Sequence, residues 1–160
     1  MIYIGIDPGK TGGISVLLPE EFVEPRVRIF PMPPTEKGIS EIFKDIVDPG
    51  NSSPTKIQAL IEQVHAFPGQ GVTSMFTFGQ GYGFLRGCLV SFGIPFIEVT
   101  PQKWMGYFGF KKEKSELPKD YKKRILQKAQ NMFPNSSVAL STADSLMIAE
   151  YLRQTYNKGI

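Results

Sequence analysis

The chain has 160 residues, 41% hydrophobic and 21% charged, a length and balance that fit one globular domain spanning 1–160. No apolar run approaches the roughly 18 residues of a membrane span, and Met1-Ile2-Tyr3-Ile4 lacks the basic start of a secretory signal, so a cytoplasmic protein is expected. The single cysteine, Cys88, excludes an internal disulfide and argues against a cysteine-based zinc site; in its apolar stretch it is expected to be a small core residue.

Residues 2–7, IYIGID, alternate and are isoleucine-rich, which predicts a strand ending on Asp7. The cluster Pro8 to Gly13 is a turn, and residues 14–18 predict a second strand that closes a hairpin. Residues 26–31 predict a third, antiparallel strand, ended by prolines. Thr35 is placed as an N-cap for a helix whose apolar face is Ile39, Ile42, Phe43 and Ile46, running to Val47. Residues 57–64, IQALIEQV, predict a buried strand that carries Glu62. A Pro/Gly loop over 65–71 precedes a glycine-rich helix from Thr73 to Phe92, then a strand over 94–99 and a short helix from Pro101 to Phe108. A charged loop over 109–117 leads into a basic helix from Pro118 to Phe133, and a last helix spans 141–156 with Ser141 as its cap. This order predicts an α/β fold: one mixed five-stranded sheet, three antiparallel strands followed by parallel ones, with helices on both faces.

The net charge of +3 is unevenly spread. From Lys103 to Lys128 there are nine basic and three acidic residues, a net +6, while the remainder carries −3. A basic segment on an otherwise acidic body points to a polyanionic partner, set against the plainer reading of a solvated helix face and a charged loop. The exposed cations of that segment, Lys111, Lys112, Lys114, Lys122, Lys123 and Arg124, are the candidate nucleic-acid contacts.

Three carboxylates stand where plain solvation is a poor explanation. With period two, Ile2, Ile4 and Ile6 face one side of the first strand, and Tyr3, Gly5 and Asp7 the other. Glu62 is embedded in Leu60-Ile61-Glu62-Gln63-Val64, and Asp144 lies among the small residues of Thr142-Ala143-Asp144-Ser145. A buried carboxylate without a partner costs several kcal/mol, so each needs a cation or donors. Together, near a basic surface, they form an oxygen-rich set suited to Mg²⁺, with Mn²⁺ as a substitute; singly, each could equally be a structural ion pair or a cap.

At this point a family resemblance enters. Ile4-Gly5-Ile6-Asp7-Pro8-Gly9 resembles the opening of RuvC-type Holliday-junction resolvases, Ile61-Glu62-Gln63-Val64 their second acidic strand, and Ala143-Asp144-Ser145-Leu146-Met147-Ile148-Ala149 their last helix. Pro101-Gln102-Lys103-Trp104 and the lysine-rich helix ending at Phe133-Pro134 resemble phage-type members in particular. The resemblance implies an RNase H-like fold, a homodimer, and a Mg²⁺-dependent crossover-junction endodeoxyribonuclease making paired cuts across a four-way junction. It implies that Asp7 bridges two metal ions, that Glu62 holds the ion near the attacking water, and that Asp144 holds the other side. It also implies that Lys103 stabilises charge at the scissile phosphate. The sequence departs from the family where a fourth ligand is expected, because Leu140 and Ser141 stand there. Leu140 cannot bind metal, and Ser141 could do so only weakly or through water. His65, just past Glu62, is a candidate assistant, although a lone histidine beside a loop is more often ordinary. Phe67 in the following loop could stack on an unpaired base or simply pack. The segment Phe76 to Phe84 could be a dimer face or core.

Other classes fit less well. Gly9-Lys10-Thr11 resembles the tail of a P-loop, but Ile4 stands where that motif needs glycine. Sugar-kinase and actin-type ATPases open similarly, but they need a second domain. Two readings on the same fold stay open: a nuclease of looser specificity for flaps and forks, and a branched-DNA-binding module with weak or no cleavage.

Overall fold

Isoleucine at every second position of the first strand gives the sheet one wholly apolar face, and the rest of the architecture follows from covering it. In the computed structural model, residues 1–20, 26–48, 56–65, 69, 71–113 and 115–156 are described. The strands are β1 (Ile2–Asp7), β2 (Gly13–Leu17), β3 (Val27–Pro31), β4 (Ile57–Glu62) and β5 (Phe96–Val99). They form one sheet in the order β3-β2-β1-β4-β5. β1 pairs antiparallel with β2 and β2 with β3, whereas β1–β4 and β4–β5 are parallel, as the sequence predicts.

Ile2, Ile4 and Ile6 of β1 share a buried cluster with Ile14, Val16, Ala59 and Ile61 of the neighbouring strands. That face is covered by α1 (Glu36–Val47), through Ile39, Phe43 and Ile46, and by α2 (Val72–Ser91), through Leu85, Cys88 and Leu89. Cys88 is thus a core residue, as expected. Thr35 caps α1, its side chain accepting the Gly38 N–H at 3.2 Å.

The opposite face is covered by α3 (Pro101–Tyr107), α4 (Pro118–Met132) and α5 (Ala143–Thr155). α5 lies against β1 and is buried continuously from Ala143 to Leu152. Its polar residues need internal partners there, and the Ser145 hydroxyl finds one in Ser15 of β2, 2.8 Å away. Among the described residues no helix is long and apolar enough to cross a membrane.

Two boundaries differ from the sequence reading in ways that matter for the site. β4 stops at Glu62 instead of Val64, because β5 ends beside it at Val99; the last backbone bond, Gln63 N–H to Val99 C=O at 2.7 Å, closes the ladder. α5 begins at Ala143, not Ser141: residues 139–142 form a turn in which Thr142 N–H donates to Ala139 C=O at 3.0 Å. The cap is therefore Thr142, whose hydroxyl accepts the Ala139 N–H at 3.1 Å.

Candidate active site

Parallel pairing brings two of the carboxylates side by side. β1 and β4 are in register with Ile6 beside Ile61, so one residue further along each strand Asp7 comes level with Glu62. Both are the last residues of their strands and, by alternation, both face the layer of α3–α5, where Leu60 is already packed. The third, Asp144, is the second residue of α5, a buried position held over β1 by the Ser15–Ser145 contact next door.

The three groups are close enough to feel one another's charge. Glu62 is pushed up to about 7, first by burial and then by Asp7 and Asp144, while its hydrogen bond from Trp104 works the other way. Burial also raises Asp7, with Asp144 adding to the effect and the Gly9 N–H opposing it from 3.2 Å at Oδ1. Asp144 is raised by burial, which outweighs the pull of Lys122. The Lys122 ammonium lies 3.3 Å from Asp144 Oδ2. Burial disfavours its charge, but attraction to Asp144, Asp7 and Glu62 prevails and its pKa is raised.

Local packing fixes these groups. The turn after β1 folds so tightly over Asp7 that a Cβ at position 12 would sit 2.3 Å from the Asp7 carbonyl oxygen and 2.6 Å from its Cγ. Only glycine fits there. On the other side, the fully buried Trp104 of α3 donates its indole N–H to Glu62 Oε1 at 2.8 Å.

The donor set suits a hard divalent cation: three carboxylates against one lysine leave an excess of negative charge that burial makes costly. Among the described residues, however, no three His, Cys, Asp or Glu side chains close on a single point tightly enough to form a ready metal cage. The carboxylates share Lys122 instead, and metal binding would require them to draw inward.

A pH dependence follows for the metal-free protein. Glu62 has a folded pKa near 7 against about 4.5 in the unfolded chain, so its protonated form favours the fold. That contribution is complete below about 4.5 and is lost as pH rises through 7, an effect on the order of 3 kcal/mol at about 1.4 kcal/mol per unit. Asp7 and Asp144 act in the same direction. Urea unfolding in chelator should therefore give stability that falls from pH 5 to 8, and Glu62→Gln should flatten the slope. A slope unchanged in that variant would remove Glu62 as its source.

The other expected site residues scatter. Lys103 is exposed on α3, one position from Trp104, and Ser141 is partly exposed in the turn before α5, beside the exposed Leu140. His65 is exposed beyond the end of β4. Lys111 and Lys112 are exposed between α3 and α4, and Lys123 is exposed on α4, 3.6 Å from Asp120. Arg124 is engaged by Glu116 through a two-pronged contact of 2.7 and 2.8 Å. Phe67 and Lys114 lie outside the described residues. Sequence reasoning missed Trp104 as the partner of Glu62. It also placed Lys122 among surface contacts, although Lys122 is the cation nearest the carboxylates. The chain's one tryptophan, within a motif already singled out, was the available signal for the first.

No family model and no curated protein matches the sequence. The fold does have close structural counterparts. A Thermus thermophilus RuvC in complex with a Holliday junction substrate matches with a TM-score of 0.66 at 15% identity, over 99% of this chain and 97% of that one. A second Thermus thermophilus RuvC structure matches at 0.62 and 14%, with the same coverage. The chain therefore has the RuvC-like, RNase H-like fold over nearly its whole length, as the sequence motifs imply.

Proposed function

We propose that this protein is a structure-specific endonuclease that hydrolyses phosphodiester bonds in branched DNA, four-way junctions foremost, with Mg²⁺ or Mn²⁺ held by Asp7, Glu62 and Asp144. The observation that carries this reading is the convergence of three buried carboxylates, each with a raised pKa, at the ends of β1 and β4 and the start of α5. Burying three like charges destabilises the fold, and a divalent cation is the partner that would reverse the cost. Similarity in fold to a RuvC captured with a junction substrate supports the choice of substrate class.

In this reading the bound cations supply an activated water and relieve charge on the leaving oxygen. Asp7, last on the central strand and beside Glu62, is the residue placed to contact both cation positions. Glu62 is oriented by the Trp104 indole, which holds one oxygen and leaves the other for a cation. Asp144 completes the set from the helix. Lys122 neutralises the carboxylates until cation arrives and is then free to meet a phosphate oxygen. Lys103 is assigned to the scissile phosphate, and Ser141 to a water-mediated contact in place of a fourth acidic ligand. Lys111, Lys112 and Lys123 extend a cationic path for the backbone, with Lys114 and Phe67 assigned to DNA by sequence alone.

We assign homodimerisation to the outer face of α2. Val72, Phe76 and Val90 are exposed there at 86%, 67% and 70% on a stripe that also carries Gly79, Gly83 and Gly87, around whose Cβ positions nothing lies within 4 Å. Two copies joined by a two-fold axis would present two sites to a symmetric junction. Placement among phage-type members rests on the Pro101-Gln102-Lys103-Trp104 and Phe133-Pro134 motifs.

A second reading, a branched-DNA-binding module, draws on the missing fourth ligand and on the Lys122–Asp144 contact. The test is incubation of labelled four-way junctions, flaps, forks and linear duplex with Mg²⁺, Mn²⁺ or chelator. Metal-dependent cutting of junctions is the expected result. Flap and fork cutting at the same rate would shift the reading to the looser nuclease. Binding without cutting in either metal would leave the binding module, and equal cutting of linear duplex would sink structure specificity.

A further inference from the structure

Beside the carboxylate site, the segment between α3 and α4 carries Lys111 and Lys112, and its attachment is not apolar. Arg124 of α4 reaches across to it. The guanidinium donates Nε to Glu116 Oε1 at 2.7 Å, Nη2 to Glu116 Oε2 at 2.8 Å, and Nη2 again to the Lys111 carbonyl at 2.8 Å. Glu116 in turn accepts the Glu113 N–H at 3.3 Å, so one carboxylate ties both the start and the end of the segment. Arg124 also lies over the Tyr121 ring, 5.4 Å from its centroid, and the Tyr121 hydroxyl donates to the Phe110 carbonyl at 3.4 Å. Phe110 packs edge-on against Trp104, the donor to Glu62. The segment is thus joined, contact by contact, to the wall of the carboxylate site.

We propose that Glu116 and Arg124 form a clamp that positions Lys111 and Lys112 for the DNA backbone, with Arg124 acting through Glu116 and not as a DNA contact itself. The proposal rests on the branched-DNA reading above. A planar guanidinium in a two-pronged contact with carboxylate is geometrically specific, and its donors are already engaged. Lys111 and Lys112 remain exposed, and the Lys112 charge reaches Glu116. Loss of the clamp would leave the two lysines on a free segment, which must be ordered anew at each binding event.

The sign of one substitution separates this from a simple charge effect. Glu116→Gln makes a DNA-binding face more positive by one, so a charge-only account expects tighter binding and a steeper salt dependence. The clamp expects the opposite: junction affinity in chelator reduced by about three- to ten-fold, with a shallower salt slope because two phosphate contacts are weakened. Fluorescence anisotropy of the full chain with a labelled four-way junction, across a salt series, reads both. Adding Arg124→Ala to Glu116→Gln should cost little more; a further large loss would make Arg124 a direct DNA contact and overturn its assignment. Affinity unchanged or increased in Glu116→Gln overturns the clamp.

Limited trypsin digestion without DNA gives a second readout. Cleavage after Lys111 and Lys112 should be several-fold faster in Glu116→Gln than in the parent, with the thermal melting transition retained. Equal cleavage rates overturn the clamp whatever the DNA result. A parent chain that binds no junction, together with faster cleavage in the variant, would overturn the branched-DNA reading while leaving the clamp as a structural feature.

Discussion

Asp7→Asn is expected to reduce cleavage of branched DNA by at least about a thousand-fold, as loss of a principal electrostatic group at a reacting centre does, while junction binding stays intact. The amide keeps the shape of the carboxylate, and its oxygen can still accept the Gly9 N–H that Asp7 Oδ1 now accepts at 3.2 Å. The tight turn over position 7, which excludes any side chain at residue 12, is left undisturbed. What is lost is one of the negative charges that would hold cations between β1 and β4. Because burial and Asp144 already disfavour the charged form of Asp7, removing that charge should also stabilise the metal-free protein at neutral pH. The variant should therefore be inactive, junction-binding and more stable in chelator than the parent. Cleavage rates, anisotropy and urea midpoints check the three parts, and cleavage near the parent rate would remove Asp7 from the catalytic set.

Gly5→Ala carries the largest expected effect on stability. Gly5 is in the middle of the central strand, and α5 crosses it at backbone contact. An added Cβ would lie 2.2 Å from the Ala149 nitrogen, 2.2 Å from the Ser145 carbonyl oxygen and 2.8 Å from the Ala149 Cα. All three are backbone atoms, so no rotamer change relieves the overlap, and α5 must lift from the sheet. Overpacking a core by one methyl through flexible side chains costs about 1–3 kcal/mol; here the rigid neighbours should bring the loss above about 3 kcal/mol. A domain of this size has perhaps 5–15 kcal/mol in total, so a large share goes with one methyl. α5 also carries Asp144, and its displacement should remove cleavage with it. A urea midpoint within about 0.5 M of the parent would show that the helix does not approach the strand this closely.

Much of the fold was legible in residue order. The alternation in IYIGID placed Ile2, Ile4 and Ile6 on one face and Asp7 on the other, and both assignments hold in the sheet. Thr35, followed by apolar residues at helical spacing, marked α1 at both ends. Boundaries set by long-range pairing were less legible. Nothing local in IQALIEQV says that the strand should stop at Glu62; the end of β5 at Val99 does. Nothing local in the stretch before Ala143 distinguishes Ser141 from Thr142 as a cap; the turn back to Ala139 does.

The candidate site divides along the same line. That Asp7, Glu62 and Asp144 belong together could be read from three short motifs, because strand-end acids in apolar surroundings are costly without a shared purpose. Which cation meets them could not. Lys103 and Lys122 are equally basic in the sequence, yet only Lys122 lies against Asp144, from a separation of 22 residues. Trp104 reaches Glu62 across 42 residues. Arg124, one of six cations expected to face DNA, is turned back onto Glu116 by a contact between a helix and the segment before it.

By itself, then, the sequence determined the sheet, its two faces and the three acids on one of them, since periodicity and burial act over a few residues and leave a local record. Only the tertiary structure decided that the acids share Lys122, that Trp104 orients Glu62, and that Glu116 and Arg124 hold the basic segment. Those pairings depend on how α3, α4 and α5 pack over β1 and β4, and a side chain's charge carries no information about which distant partner that packing will bring within 3 Å.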